Sequence, residues 1–150
     1  MRDLIANKSL EGKPVISEQL IGELIRSAKQ AVENAYCDYS RFPVGATVLT
    51  TTGNLYAGCN IENASYGLTI CAERTAVFNA VSSGEREIAA VAIYTPTKKP
   101  TAPCGACRQV INEFGPKAII ICTCDGSDPI RRRLDALLPS AFGPNDLAFE

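Results

Sequence analysis

Three cysteines and one glutamate have the types and the spacing that chemistry at a metal ion requires. Cys71 stands two residues before Glu73, and Cys104 and Cys107 form a separate CxxC pair. Cysteine thiolates bind zinc, and a carboxylate beside one ligand can move protons at that metal. The sequence contains no histidine, so the ligands must be cysteines, and a Ser-His-Asp or Cys-His nucleophile is excluded. The pattern predicts hydrolytic zinc chemistry.

The number of ligands separates catalytic zinc from structural zinc. The three cysteines leave one tetrahedral position for water, as in catalytic sites, whereas a structural site takes a fourth protein ligand. The candidates for a fourth ligand are Cys37, Cys59, Cys122 and Cys124. Cys122 and Cys124 fall on or just after a predicted strand, where buried free cysteine is common. Glu73 favours the catalytic interpretation.

The next residue, Arg74, supports a hypothesis about charge. One zinc ion and three thiolates carry a net charge of -1, which would raise the pKa of a bound water molecule. A guanidinium that donates to a thiolate sulfur would offset this charge. An ordinary surface arginine is the alternative for Arg74.

The apolar periodicity predicts the elements that must position these residues. Ser17 is a plausible N-cap for an amphipathic helix that runs to Ala35. Further helices are predicted over 71–83, 104–114 and 130–138, and strands over 44–49, 55–61, 88–94 and 118–122. The first two strands are predicted to form an antiparallel hairpin. Later in the chain, helices alternate with strands, which favours parallel pairing of those strands. We expect an α/β fold with a mixed sheet and helices on both faces.

Composition narrows the class of protein. A chain of 150 residues fits one domain, and residues 1–16 lack periodicity and are predicted to be a loose arm. The net charge of -1 argues against a nucleic-acid partner, and the run Arg131-Arg132-Arg133 is interpreted as a solvated helix face or a subunit contact. No secretory signal or membrane-spanning run is apparent, and seven cysteines then indicate reduced thiols in the cytoplasm.

Five motifs of the chain follow the pattern of a known protein family. The two site motifs are Cys71-Ala72-Glu73-Arg74 and Pro103-Cys104-Gly105-Ala106-Cys107-Arg108-Gln109. Three further matches are Tyr39-Ser40-Arg41-Phe42-Pro43-Val44-Gly45-Ala46, Asn60-Ile61-Glu62-Asn63-Ala64-Ser65-Tyr66 and Leu138-Pro139-Ser140-Ala141-Phe142-Gly143-Pro144. Together they resemble the cytidine deaminase family in its small, tetrameric, all-cysteine form, and the similarity spans most of the chain.

The resemblance implies a fold and a site. The fold would be a three-layer α/β/α sandwich with a mixed, mostly parallel five-stranded sheet. One zinc ion per subunit would be bound by Cys71, Cys104 and Cys107, with Glu73 as the proton shuttle. The residues expected to contact substrate are Phe42, Asn60, Glu62, Tyr66, Ala72 and Phe142. Tyr66 and the C-terminal phenylalanine would reach a neighbouring subunit's site, so that a homotetramer would complete the sites.

The implied reaction is deamination of cytidine and deoxycytidine to uridine and deoxyuridine in pyrimidine salvage. Alternatives are a deaminase for an aminopyrimidine antibiotic or modified nucleoside, a non-catalytic zinc module and, as a weaker option, nucleic-acid editing. One departure concerns Asp38, where family members usually carry proline before the Tyr-Ser pair. Aspartate can form a turn by bonding its own backbone, so the loop that carries Phe42 is expected to be less rigid.

Overall fold

The computed structural model describes residues 16–147. The predicted loose arm over residues 1–16 lies, except for Ile16, outside the described residues. Helix α1 (Glu18–Ala31) continues into a short 3-10 turn (Val32–Asn34), and the other helices are α2 (Ala72–Ser82), α3 (Gly105–Phe114) and α4 (Leu134–Leu137). The strands are β1 (Gly45–Thr50), β2 (Leu55–Cys59), β3 (Ile88–Thr95), β4 (Ile119–Cys124) and β5 (Ile130–Arg133).

The predicted capping residue of α1 is confirmed. The hydroxyl oxygen of Ser17 accepts a hydrogen bond of 3.2 Å from the backbone N–H of Leu20. This bond satisfies one of the amide donors that every helix leaves unpaired at its start. The α-helix ends at Ala31, four residues before the predicted end, because the last residues tighten into the 3-10 turn.

The five strands form one sheet in the order β2-β1-β3-β4-β5. Pairing is antiparallel between β2 and β1, between β1 and β3 and between β4 and β5, and it is parallel between β3 and β4. The mixed five-stranded sheet is therefore confirmed, but the expectation that it would be mostly parallel is wrong. The connections from β1 to β2 and from β4 to β5 are short. Short connections join antiparallel strands, because parallel strands need a longer crossover.

The helices cover both faces of this sheet and make three layers. Side chains of α1, such as Leu24, pack with Ala92 and Tyr94 of β3, whereas Val91 and Ile93 of β3 face the layer that contains α2 and α3. This split follows from the strand, in which successive side chains point to opposite faces. Within residues 16–147, no helix has the length and apolar character that crossing a bilayer would require.

One predicted helix is a strand for half of its length. The helix expected over residues 130–138 begins only at Leu134, and Ile130–Arg133 form β5, with all four side chains exposed. Backbone pairing with β4 decides this conformation, with Ile121 opposite Arg131 and Cys122 opposite Ile130. The arginine run is thus a charged edge strand, which discourages edge-to-edge association.

Candidate active site

The three predicted metal ligands meet where two neighbouring helices begin. Cys71 is the N-cap of α2, Cys104 is the N-cap of α3, and Cys107 lies in the first turn of α3. Their sulfur atoms all lie within 4.8 Å of one another, with 4.0 Å between Cys71 and Cys104 and 3.5 Å between Cys104 and Cys107. Sulfurs bonded tetrahedrally to one zinc ion at about 2.3 Å would be separated by about 3.8 Å. The observed spacing therefore fits a zinc ion.

The electrostatic environment of these thiols favours a thiolate at Cys71. Hydrogen bonding with Cys107, followed by the guanidinium of Arg74, lowers the pKa of the Cys71 thiol to about 5. The same interaction with Cys71, together with burial, raises the pKa of Cys107. Both helix N-termini also stabilise negative charge. A divalent cation is the group whose binding would allow all three sulfurs to lose their protons together.

Glu73 is buried beside this cluster. Its side chain is 5% exposed and lies in the first turn of α2. Burial raises the pKa of the Glu73 carboxyl, and negative charge on Cys71 adds to the rise. A carboxyl group that takes up a proton more readily than usual is suited to accepting and returning protons.

Arg74 makes the contact that the charge hypothesis requires. Its Nη2 atom donates to the sulfur of Cys71 at 3.3 Å and to the backbone oxygen of Thr69 at 3.4 Å. Its Nε atom is buried and has no hydrogen-bond partner among the described residues. The guanidinium is therefore directed at the sulfur cluster rather than at solvent.

Asn60 is hydrogen-bonded to the backbone on both sides of Pro43. Its Oδ1 accepts from the backbone N–H of Val44 at 2.9 Å, and its Nδ2 donates to the backbone oxygen of Phe42 at 2.9 Å. The residue is 7% exposed. The structure thus places the predicted substrate residues Asn60 and Phe42 in direct contact, with the ring of Phe42 on an exposed loop.

Glu62 and Tyr66 lie along one surface depression. A cavity of about 290 Å³ is lined by Tyr39, Ser40, Glu62, Tyr66 and Thr69. The rings of Tyr39 and Tyr66 meet edge to face, with centroids 5.6 Å apart. Tyr66 is 74% exposed, so most of its surface is available to another molecule.

The two remaining predicted substrate residues differ in burial. Ala72 is fully buried between Cys71 and Glu73, whereas the ring of Phe142 is exposed. The backbone oxygen of Phe142 accepts hydrogen bonds from Gln109 at 2.9 Å and from Asn112 at 3.4 Å, and both donors lie on α3. The helix that begins with two of the sulfurs therefore also holds the segment that carries Phe142.

Sequence reasoning did not assign a role to Arg108. Its Nε donates to the backbone oxygen of Pro103, and its Nη1 donates to the backbone oxygen of Leu137, both at 2.8 Å. This side chain joins the residue before Cys104 to the end of α4. The sequence shows only that Arg108 follows Cys107. This position does not reveal that the side chain bonds the backbone of Leu137, which is distant in the chain.

The sequence model of one protein family matches this chain. Residues 19–123 match the family described as "Cytidine and deoxycytidylate deaminase zinc-binding region". These residues include all three clustered cysteines and Glu73. The chain belongs to this family. The family resemblance predicted from the motifs is therefore confirmed, and zinc is the cofactor that the family and the clustered sulfurs indicate.

Individual relatives of this deaminase-family chain agree with the match. A cytidine deaminase of Sporosarcina psychrophila is 45% identical over 139 residues, which cover 86% of this chain and 96% of the relative. A cytidine deaminase of Halalkalibacterium halodurans is 49% identical over 125 residues, which cover 83% and 95%. The crystal structure of cytidine deaminase from Burkholderia pseudomallei aligns with a TM-score of 0.77 and 48% identity, covering 81% of this chain and 98% of that chain. The α/β fold is thus shared with cytidine deaminases.

Proposed function

We propose that the protein catalyses the zinc-dependent hydrolytic deamination of cytidine and deoxycytidine to uridine and deoxyuridine, with release of ammonia. The observation that carries the proposal is the position of Glu73, buried beside three sulfur atoms whose spacing fits one zinc ion. Relatives named cytidine deaminase, at 45% and 49% identity over most of the chain, support the choice of substrate.

The residues present suit the chemistry of this reaction. Zinc held by Cys71, Cys104 and Cys107 would act as a Lewis acid and lower the pKa of a water molecule in the site. The Glu73 carboxylate accepts a proton from that water and delivers it to N3 of the pyrimidine, which makes C4 electrophilic. After the remaining hydroxide has added at C4, Glu73 takes the proton of the new C4 hydroxyl group and passes it to the amine nitrogen. The C4–N bond then breaks, C4 becomes a carbonyl, and ammonia leaves. Arg74 stabilises negative charge on Cys71 throughout, through its 3.3 Å hydrogen bond.

The substrate would lie between the sulfur cluster and the loops around it. The residues that we assign to substrate binding are Phe42, Asn60, Glu62, Tyr66, Ala72 and Phe142. Asn60 and Glu62 stand two apart on an extended segment, where an amide and a carboxylate suit the hydroxyl groups of a ribose. Phe42 and Phe142 offer aromatic surface to the pyrimidine.

The assay that tests the proposal follows ultraviolet absorbance and ammonia after mixing the zinc-loaded protein with cytidine. We expect absorbance loss and stoichiometric ammonia with cytidine and with deoxycytidine. Aminopyrimidine antibiotics and modified nucleosides, assayed in parallel, test the second candidate function. Turnover of only those compounds would replace the proposed substrate, and a protein with bound zinc but no ammonia release on any of them would favour a non-catalytic zinc module.

We also infer an assembly. Several large apolar side chains are exposed in the single chain, among them Tyr66, Leu68 and Phe142 at 74%, 65% and 58%. Such exposure is typical of surfaces that contact another molecule. A homotetramer in which Tyr66 and Phe142 complete a neighbour's site accounts for it. Sedimentation equilibrium at micromolar concentration tests this, and a monomer that is fully active would contradict it.

The cellular setting follows from the chemistry proposed. All seven cysteines are free thiols. Zinc binding by three of them requires that they stay reduced, which the cytoplasm provides. We therefore place the protein in the cytoplasm. We also propose that residues 1–150 form one domain. Its role would be in pyrimidine salvage, with small-molecule nucleosides and not nucleic acid as substrates. Fractionation of the source cells, with an antibody to the protein, checks the location.

A further inference from the structure

The loop that carries Phe42 is held on both sides by one short segment. We call residues 37–43 the Phe42 loop. At its end, Asn60 bonds the backbone of Phe42 and Val44. At its start, the backbone N–H of Glu62 donates to the oxygen of Tyr36 at 2.8 Å, and the N–H of Tyr36 donates to the oxygen of Asn60 at 3.0 Å.

Glu62 adds a side-chain contact in the middle of this loop. Its Oε2 atom accepts hydrogen bonds from the backbone N–H groups of Tyr39 at 2.9 Å and Ser40 at 3.1 Å. A hydrogen bond from the side chain of Ser40, followed by these backbone contacts, lowers the pKa of the Glu62 carboxyl. The other oxygen, Oε1, has no hydrogen-bond partner among the described residues and remains available.

The Phe42 loop has two hydrogen bonds of its own, from the N–H of Arg41 to the oxygen of Cys37 at 2.8 Å and from the N–H of Phe42 to Oγ of Ser40 at 3.1 Å, but it also contains a strained residue. Arg41 has a φ of 55°, in the left-handed region that a residue other than glycine enters at an energetic cost. Asp38 stands where a proline would pre-set the turn, and its side chain makes no hydrogen bond within residues 16–147. The expectation that aspartate would close the turn through its own backbone is therefore not met. The bond between Arg41 and Cys37 closes the turn, and the 60–62 segment holds the closed loop against the rest of the fold.

The same segment is paired with the residue before Cys71. The backbone N–H of Ile61 donates to the oxygen of Ile70 at 2.9 Å, and the N–H of Ile70 donates back at 3.0 Å. Ile61 also bridges to Tyr36 on its other side. The position of the Phe42 loop is thus set relative to the start of α2, where the sulfur cluster lies.

We propose that Glu62 is a positioning residue, whose carboxylate holds the Phe42 loop, and with it the aromatic wall of the pocket, in place. This role is separate from the ribose contact assigned above, and one carboxylate can serve both because Oε2 faces the loop and Oε1 is free. The activity test of the proposal depends on the proposed function, whereas the exchange test does not.

The first experiment measures hydrogen exchange at the backbone amides of Tyr39 and Ser40 in the zinc-loaded protein. Glu62→Met keeps the length of the side chain and removes both acceptor oxygens. We expect both amides to exchange about tenfold faster than in the wild type, because a charge-assisted hydrogen bond has been lost. Glu33→Met, at an exposed carboxylate on the neighbouring 3-10 turn, is the matched control and should leave both rates unchanged. Unchanged exchange in Glu62→Met would overturn the proposal.

The second experiment separates loop positioning from sugar binding. The kcat/KM of Glu62→Met is compared with that of the wild type for cytidine and for 2′,3′-dideoxycytidine, which lacks both ribose hydroxyls. A residue that only bound the sugar would matter for cytidine alone. We expect about a tenfold loss with the dideoxy compound and a larger loss with cytidine, which also loses the sugar contact, and an unchanged kcat/KM for the dideoxy compound would overturn the proposal. If turnover of the dideoxy compound is too slow, its inhibition constant against cytidine provides the same comparison.

Two further controls keep the result decisive. If Glu62→Met does not fold, Glu62→Gln takes its place, since it keeps a neutral acceptor and should show the same pattern with smaller changes. If the wild-type protein releases no ammonia from cytidine, the proposed function is refuted. The exchange experiment still tests whether Glu62 holds the Phe42 loop, because it does not depend on activity.

Discussion

Glu73 combines deep burial with a position beside three sulfur atoms, and these two properties define its chemistry at the scale of single residues. Burial favours the neutral carboxylic acid, while the backbone N–H of its own residue and contact with Cys107 favour the charged form. A carboxyl group balanced in this way can alternate between the two forms during a reaction.

Replacing Glu73 with Gln should separate metal binding from turnover. The amide has the same shape but cannot accept a proton, so we expect one zinc ion per chain and a loss of kcat of about 100-fold or more. Metal analysis and the ammonia assay on the same sample measure both quantities. Substantial deamination by this variant would remove Glu73 from the role assigned to it.

Arg74 provides a second prediction at this scale. After the hydrogen bond with Cys107, the hydrogen bond from Arg74 helps to lower the pKa of the Cys71 thiol to about 5, which weakens the competition of protons with zinc at this sulfur. In Arg74→Gln the pKa of Cys71 rises, and the midpoint of zinc release in an acid titration should move to higher pH. A chelating dye that reports free zinc measures the midpoint.

The matched control for Arg74 is Arg86→Gln. The guanidinium of Arg86 bonds the backbone oxygens of Val81 and Glu85, well away from the sulfurs in the chain. This variant should release zinc at the wild-type pH. A midpoint that is unchanged in Arg74→Gln as well would show that Arg74 is an ordinary half-buried arginine.

At the scale of elements, the start of α2 depends on a close approach of β2. A Cβ atom placed on Gly58 would overlap the backbone nitrogen of Ala76 and lie 2.9 Å from the backbone oxygen of Ala72. Both partners are backbone atoms of α2, so they cannot move without displacing the helix. Because Cys71 and Glu73 lie at the beginning of this helix, the glycine helps to set the geometry of the site.

Gly58→Ala should therefore destabilise the protein and disturb the site. We expect the free energy of unfolding to fall by about 1–3 kcal/mol, as in other overpacked cores. The control is Gly22→Ala on α1, where an added Cβ meets nothing within 4 Å and where alanine is the better helix former. Denaturant titration measures both variants, and equal stability of Gly58→Ala and the wild type would show that α2 can shift freely.

Capping residues and apolar periodicity in the sequence predicted most of the helices and strands correctly. The N-cap at Ser17, the helices that begin after Cys71 and Cys104, and the buried strand over Ile88–Thr95 are visible as capping residues or apolar periodicity. β5 was missed because Ile130–Arg133 has no alternating pattern, and its conformation comes from the backbone of β4. Tertiary pairing overrides local preference there.

At the scale of the whole molecule, motif spacing predicted which sulfurs would meet, although two different helices supply them. The partners of Glu62, Asn60 and Arg108 could not be predicted, because backbone amides and carbonyls carry no sequence signal. Their contacts join segments 16 to 29 residues apart in the chain. The reactive residues can therefore be predicted from the sequence, whereas the hydrogen bonds that position them can be identified only in the folded structure.

Catalysis at this site depends on zinc held by three sulfurs with one position left for water. X-ray absorption at the zinc edge, on protein loaded with one zinc ion per chain, measures this coordination directly. We predict three sulfur neighbours at about 2.3 Å and one oxygen neighbour at about 2.0 Å. Four sulfur neighbours would mean that the position is closed, and the proposed catalytic site would be contradicted.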